Sequence, residues 1–153
     1  MESFAYALEQ SRCPVSYNGN LFSAADASAL MKEIVGQDEA SDSGKTQKKM
    51  KLAALMFGRG AVASPWIFGE ARNLPSSNHL QSFQQFHDRL LTGYAEIMSG
   101  DRNTLFKMKE LWYYFQCHFP GCEKELKKIK KAQKLSDYRA AVQAMFASGR
   151  FVE

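Results

Sequence analysis

No stretch of the 153-residue chain approaches a membrane span; the longest clean apolar run is Leu52–Phe57, against the ~18 consecutive apolar residues a bilayer requires. An acidic residue, Glu2, stands where a secretory signal would carry positive charge. Cysteine is scarce. Cys13, Cys117 and Cys122 are an odd count, which argues against a disulfide framework and points to a reducing compartment, the cytoplasm. The length amounts to about one domain. It is too short for a complete (β/α)8 barrel, which takes at least ~200 residues, so any barrel signal here belongs to part of one. Neither Gly-x-Ser-x-Gly nor His-Glu-x-x-His occurs, and hydrolase chemistry has no support. Gly44-Lys45-Thr46 has the ending of a phosphate-binding P-loop, but its first glycine would fall at Glu39. There is no internal repeat.

What is present suits a folded chain: 45% hydrophobic and 24% charged residues, unlike a disordered one. The net charge of +4 is unevenly placed. Residues 1–75 hold 8 basic and 8 acidic side chains; residues 76–153 hold 12 and 8, the excess lying mostly between Lys107 and Arg139. Such asymmetry fits a polyanionic partner such as nucleic acid, and equally a solvated lysine-rich helix. Charge alone leaves both open.

Apolar spacing predicts a helix over 2–10 and a short strand over Pro14–Tyr17, stopped by Asn18-Gly19-Asn20. Ser23-x-x-Asp26 opens a second helix as a capping box. Ala24, Ala27, Leu30, Met31, Ile34 and Val35 follow at helical spacing, with Gly36 at the C-terminal cap position. Residues 36–49 read as a polar loop. Lys51–Phe57 is a buried strand by length and composition, followed by Gly58-Arg59-Gly60. Strand, helix, strand is one parallel crossover unit. Residues 69–78 form a boundary. Beyond them four helical stripes follow, with Phe83, Phe86, Leu90, Leu91, Tyr94, Ile97 and Met98 on the first. Trp112 and Phe115 belong to the core of the second, while Tyr113 or Tyr114 is open to touch RNA. Ser136 is expected to cap the fourth. His79 and His87 are placed toward solvent, and Cys117-His118 with Cys122 is a weak metal pattern best read as structural. The fold class is therefore α/β plus all-α, with domains 1–68 and 69–153, the second a small helical bundle.

Two turns carry chemistry. Asn18-Gly19-Asn20 and Gly58-Arg59-Gly60 stand at the carboxyl ends of consecutive strands, where parallel α/β folds bind ligands. Glycine lets backbone N–H groups approach a phosphate, and a guanidinium adds charge-assisted hydrogen bonds. A short helix over residues 61–64 would add a partial positive charge.

Val15-Ser16-Tyr17-Asn18-Gly19-Asn20 with Ser23 and Asp26, then Leu55-Met56-Phe57-Gly58-Arg59-Gly60-Ala61 and Pro65-Trp66-Ile67-Phe68, resemble the last two strands of tRNA-dihydrouridine synthases. In the helical part Lys107-x-Lys109 before Trp112-Tyr113, and Phe119-Pro120-Gly121 before a basic helix, are similar too. The resemblance covers most of residues 1–145. It implies the C-terminal portion of a flavin-binding TIM (β/α)8 barrel followed by a helical tRNA-binding domain. The implied activity is reduction of uridine in tRNA to 5,6-dihydrouridine, with FMN as cofactor and NADPH or NADH as reductant. Matched positions imply that Asn18, Gly19, Gly58, Arg59 and Gly60 face the cofactor, its phosphate above all, and that Pro65-Trp66 pack the barrel's end. Lys107 and Lys109 would face tRNA, and Lys127, Lys128 and Lys131 would meet phosphates.

The family's catalytic cysteine lies in strands with no counterpart here, and none of the three cysteines stands at its position. The chain reads as a C-terminal fragment, or a truncation starting at Met1, inactive by itself. A lone crossover would leave sheet edges unpaired and apolar faces bare. A monomer without membrane contact is expected. The alternative is a non-catalytic helical RNA-binding module with an inert barrel remnant.

Overall fold

A computed structural model describes residues 2–36, 51–74 and 78–152. The predicted loop over 36–49, apart from Gly36, lies outside them. Two compact units are present: Met1–Ala61 with Ile67–Leu74, and Val62–Trp66 with Pro75–Glu153.

The first unit opens with helix α1 (Glu2–Gln10), strand β1 (Val15–Asn18), helix α2 (Ala24–Gly36) and strand β2 (Leu52–Met56). The strands pair in parallel, Ser16 opposite Ala54, Tyr17 opposite Leu55 and Asn18 opposite Met56, with an irregularity after Val15. The capping box of α2 is formed: Ser23 Oγ accepts from the Asp26 amide at 3.0 Å, and Asp26 Oδ2 accepts from the Phe22 and Ser23 amides, both at 2.9 Å. Leu8, Leu21, Leu30 and Ile34 form the core, joined by Phe4, Val15, Tyr17, Leu52, Leu55 and Phe57. The Phe4 ring meets Tyr17 edge-on at 4.8 Å.

The strand expected over Lys51–Phe57 is present as Leu52–Met56, but it is not buried on both sides. Ala53, Ala54 and Met56 are exposed while Leu52 and Leu55 turn inward. The physical reason is that, among the described residues, β2 pairs only with β1, and the unit's core gathers on one face of the pair.

After the short helices α3 (Arg59–Ala63) and α4 (Ile67–Glu70), the second unit continues as α5 (His79–Ile97), α6 (Asp101–Phe115), α7 (Glu123–Lys131) and α8 (Leu135–Ala147), with a 3-10 turn at Gln116–His118. Helix α3 starts two residues earlier than the glycines suggest. Asn78 caps α5 through Oδ1, which accepts from the Gln81 amide at 3.0 Å. Gly100 and Gly121, between helices, adopt φ of 80° and 73°, which side chains disfavour. Trp112, Tyr138, Phe83, Phe115, Met108, Ile129 and Met145 are fully buried. Phe83 is the hub, its ring within 5.0–6.3 Å of Trp66, Phe115, His118, Phe119, Phe146 and Phe151.

Three expectations are corrected here. Ser136 does not cap α8: the helix begins at Leu135, after Lys134, without a side-chain cap. Ile97 is 75% exposed, since it lies at the last residue of α5, beyond the packed turns. His79 and His87 are buried rather than solvent-facing; they sit four residues either side of Phe83 and share its inward stripe.

Candidate functional site

In the first unit the two turns at the carboxyl ends of β1 and β2 are joined. Arg59 donates through Nη2 to Asn20 Oδ1. Asn18 is the last paired residue of β1, opposite Met56, and its side chain is exposed. The Tyr17 ring lies over Gly19, where a Cβ would come within 2.2 Å of the phenol oxygen. Gly58 is exposed, with open space where a side chain would stand. Gly60 is buried against backbone: a Cβ there would fall 2.0 Å from the Leu21 carbonyl oxygen. Asn18, Arg59 and Gly58 thus lie open at the strand ends, while Gly60 serves close approach of the two turns. Asn20 is a functional candidate that motif reading passed over, although it lies within the same tripeptide. Beside this corner, hydrogen bonds from the Phe22 amide, then from Ser23, hold the Asp26 carboxyl below the usual carboxylate range.

In the helical unit the basic residues divide. Lys124, Lys127, Lys128 and Lys131 of α7 edge a hollow of about 720 Å³ whose floor is Ala132, Ala140, Ala141 and Ala144, with Asp137 at its rim. Lys127, Lys128 and Lys131 are brought together there, and all three are exposed. Helices α7 and α8 pack closely over alanine, which leaves a shallow trough flanked by ammonium groups. Lys107 and Lys109 are placed differently. Lys107 pairs with Glu110 at 3.2 Å. The Lys109 ammonium donates to the Ala132 carbonyl just past the end of α7, where a cation complements the helix dipole.

A third arrangement carried no sequence signal beyond its spacing. His87 is 1% exposed. Its Nε2 lies 2.8 Å from the Tyr138 hydroxyl, and Trp112 Nε1 donates to the same oxygen at 2.9 Å. Its Nδ1 lies 3.0 Å from Asp88 Oδ1. Burial lowers the His87 pKa below the usual imidazole range, against the opposing pull of Asp88, and raises Tyr138 well above the usual phenol range.

The cysteines are scattered. Cys13 is exposed before β1, Cys117 donates to the Tyr114 carbonyl and Cys122 is buried. His118 lies between the Val152 carbonyl, 2.7 Å from Nδ1, and the Ala63 carbonyl and Ser64 hydroxyl, 3.0 and 3.1 Å from Nε2. Trp66 stacks on His79 at 4.7 Å. Among the described residues no helix is long and apolar enough to cross a membrane, and no group of three or more His, Cys, Asp or Glu could hold a metal ion.

Compared with known proteins, the chain matches no family model, no curated protein and no solved structure.

Proposed function

We propose that the chain serves a tRNA-dihydrouridine synthase-like flavoenzyme, its crossover unit standing as the last two strands of a (β/α)8 barrel and its helical unit binding tRNA. The observation that carries this reading is the Arg59–Asn20 hydrogen bond. It sets a guanidinium across the carboxyl ends of two parallel strands, next to the open backbone of Gly58. That is the chemistry a phosphomonoester needs: a fixed cation and approachable N–H groups.

Asn18, Gly58 and Arg59 would hold the FMN phosphate and neighbouring chain, and Gly60 would keep the two turns in register. The flavin, reduced by NADPH or NADH, supplies the hydride chemistry. The residues of this chain bind and orient; none of its cysteines is assigned a proton-transfer role. In the helical unit Lys127, Lys128 and Lys131 would meet tRNA phosphates, which give affinity without reading sequence.

Titrating FMN and riboflavin into the purified chain tests the phosphate corner, because the two differ by the phosphate. Tighter binding of FMN is expected, and Arg59→Ala should erase the preference. No preference in the wild type, or one that survives Arg59→Ala, overturns the assignment.

The lysine trough favours a second reading, an RNA-binding module that needs no flavin. A colourless protein that shows no FMN preference yet binds tRNA with steep salt dependence selects it.

A further inference from the structure

Helix α6 buries Leu105, Met108, Trp112 and Phe115 and turns Phe106 outward, 67% exposed. Phe106 walls a hollow of about 520 Å³ lined also by Arg102, Asn103, Leu105, Lys109 and Gln133. No carboxylate is among these residues, and two are cations. The Lys109 ammonium is tethered at this rim by the Ala132 carbonyl, so little side-chain freedom remains to be lost on binding. Asn103 Nδ2 donates to the Ser99 carbonyl at 2.9 Å and Gln133 Nε2 to the Lys131 carbonyl at 3.3 Å. Their amide oxygens are left to accept from the N–H edge of a ligand.

An exposed aromatic ring, with the Lys107 ammonium 6.0 Å from its centroid, stands in one hollow with two lining cations and amide acceptors, a set that suits a nucleotide. We infer that this hollow takes one unstacked nucleotide of an RNA strand, its base on the Phe106 ring and its phosphate between Arg102 and Lys109. Bases splayed from a strand stack on aromatic side chains and offer their Watson–Crick edges to amides, whereas in a paired duplex the internal faces are stacked and those edges are taken up by pairing. The nearest acidic neighbour on the helix face, Glu110, has its charge met by Lys107 at 3.2 Å. Tyr113 continues the exposed face, 69% exposed and braced edge-on by Tyr114 at 5.3 Å. Seven residues beyond Phe106, it stands roughly 10 Å further along the helix, within reach of a second base.

The inference rests on the RNA-binding reading and names what that surface binds. The test measures fluorescence anisotropy of a labelled twelve-nucleotide oligouridine and of a blunt RNA duplex of equal length, each titrated with the full chain. Phe106→Ala is expected to weaken oligouridine binding about five- to a hundred-fold. Duplex binding and the salt slope should stay as in the wild type, because no phosphate contact is removed. Phe106→Tyr, which keeps a ring, is expected to bind as the wild type does. Unchanged oligouridine binding by Phe106→Ala overturns the site, as does equal loss for oligouridine and duplex, or failure of Phe106→Tyr to restore binding. A wild-type chain that binds neither RNA removes the RNA reading itself, which separates the two failures.

Discussion

The Tyr138 hydroxyl and His87 Nε2 stand 2.8 Å apart in the core of the helical unit. The direction of that bond follows from Asp88, whose ionised carboxylate can only accept, so the proton of a neutral His87 stands on Nδ1 and Nε2 accepts from the hydroxyl. The Trp112 indole can only donate, and it does so to the Tyr138 oxygen at 2.9 Å. The hydroxyl proton is then available to His87, whose other nitrogen donates to Asp88. Burial favours the neutral ring against the pull of Asp88, and the bond to Asp88 sets its proton on Nδ1.

A pH dependence follows. The folded-state pKa of His87 lies below its unfolded value near 6.5, because burial disfavours the cation. Between the two values the unfolded chain binds more protons, so stability rises with pH there. The contribution of neutral His87 is complete above pH 6.5 and is lost as pH falls toward the lower folded-state value. Urea denaturation at pH 7.5 and 5.0 should show a lower midpoint at the acid value, and His87→Phe should flatten the difference. The same slope in both proteins would sink the assignment. Tyr138 acts at the other end: its raised pKa makes stability fall as pH climbs past 10.

Removing the hydroxyl tests the network directly. Tyr138→Phe leaves the ring in place but strips the Trp112 N–H and His87 Nε2 of their shared partner. Two buried polar groups left unmatched should cost about 2–5 kcal/mol. A loss below about 0.5 kcal/mol in equilibrium unfolding would mean that the hydroxyl contributes little.

Much of this was legible in the residues and some was not. The capping box at Ser23 and Asp26, the parallel pairing and the inward positions Tyr138, Ala141, Val142 and Met145 follow from spacing and turn chemistry, which are local. The burial of His79 and His87 was hidden by their polarity. A histidine turns inward only if distant residues supply its partners, here Tyr138 for one and Trp66 for the other. The lysines were ambiguous for the same reason. Lys109 and Lys131 look alike in sequence, but only the fold brings the Ala132 carbonyl to the first. The exposure of Ala53, Ala54 and Met56 depends on how many neighbours the sheet has, which a strand's composition does not encode.

The glycines of the phosphate corner can be told apart by one methyl group. A Cβ at position 60 would fall 2.0 Å from the Leu21 carbonyl and 2.9 Å from Phe22 Cα, both backbone. Gly60→Ala should therefore destabilise the first unit by roughly 1–3 kcal/mol. Gly58→Ala meets nothing within 4 Å and should leave stability near the wild-type value. A fall in FMN preference in Gly58→Ala would then report on binding alone. Chemical denaturation followed by tyrosine fluorescence distinguishes the two, and equal stability of both variants would contradict the close packing of the turns.

The lysines make the last prediction, because Lys109 caps α7 as well as facing the Phe106 hollow, whereas Lys128 and Lys131 face only the trough. Lys109→Ala removes a cation from the C-terminal end of α7 and should lower stability by about 1 kcal/mol. Lys128 and Lys131 edge the open trough in the last turn of α7, exposed to solvent, so replacing both with alanine should cost at most about 1 kcal/mol through the helix dipole. Its effect should appear in tRNA binding. Each lost phosphate contact reduces the slope of log affinity against log salt by roughly one, so the double variant should lose about two. Binding isotherms between 50 and 200 mM salt would read this out, at roughly the range where such slopes are steep. An unchanged slope in the double variant, with the chain still folded, would place the tRNA-contacting cations elsewhere on the molecule.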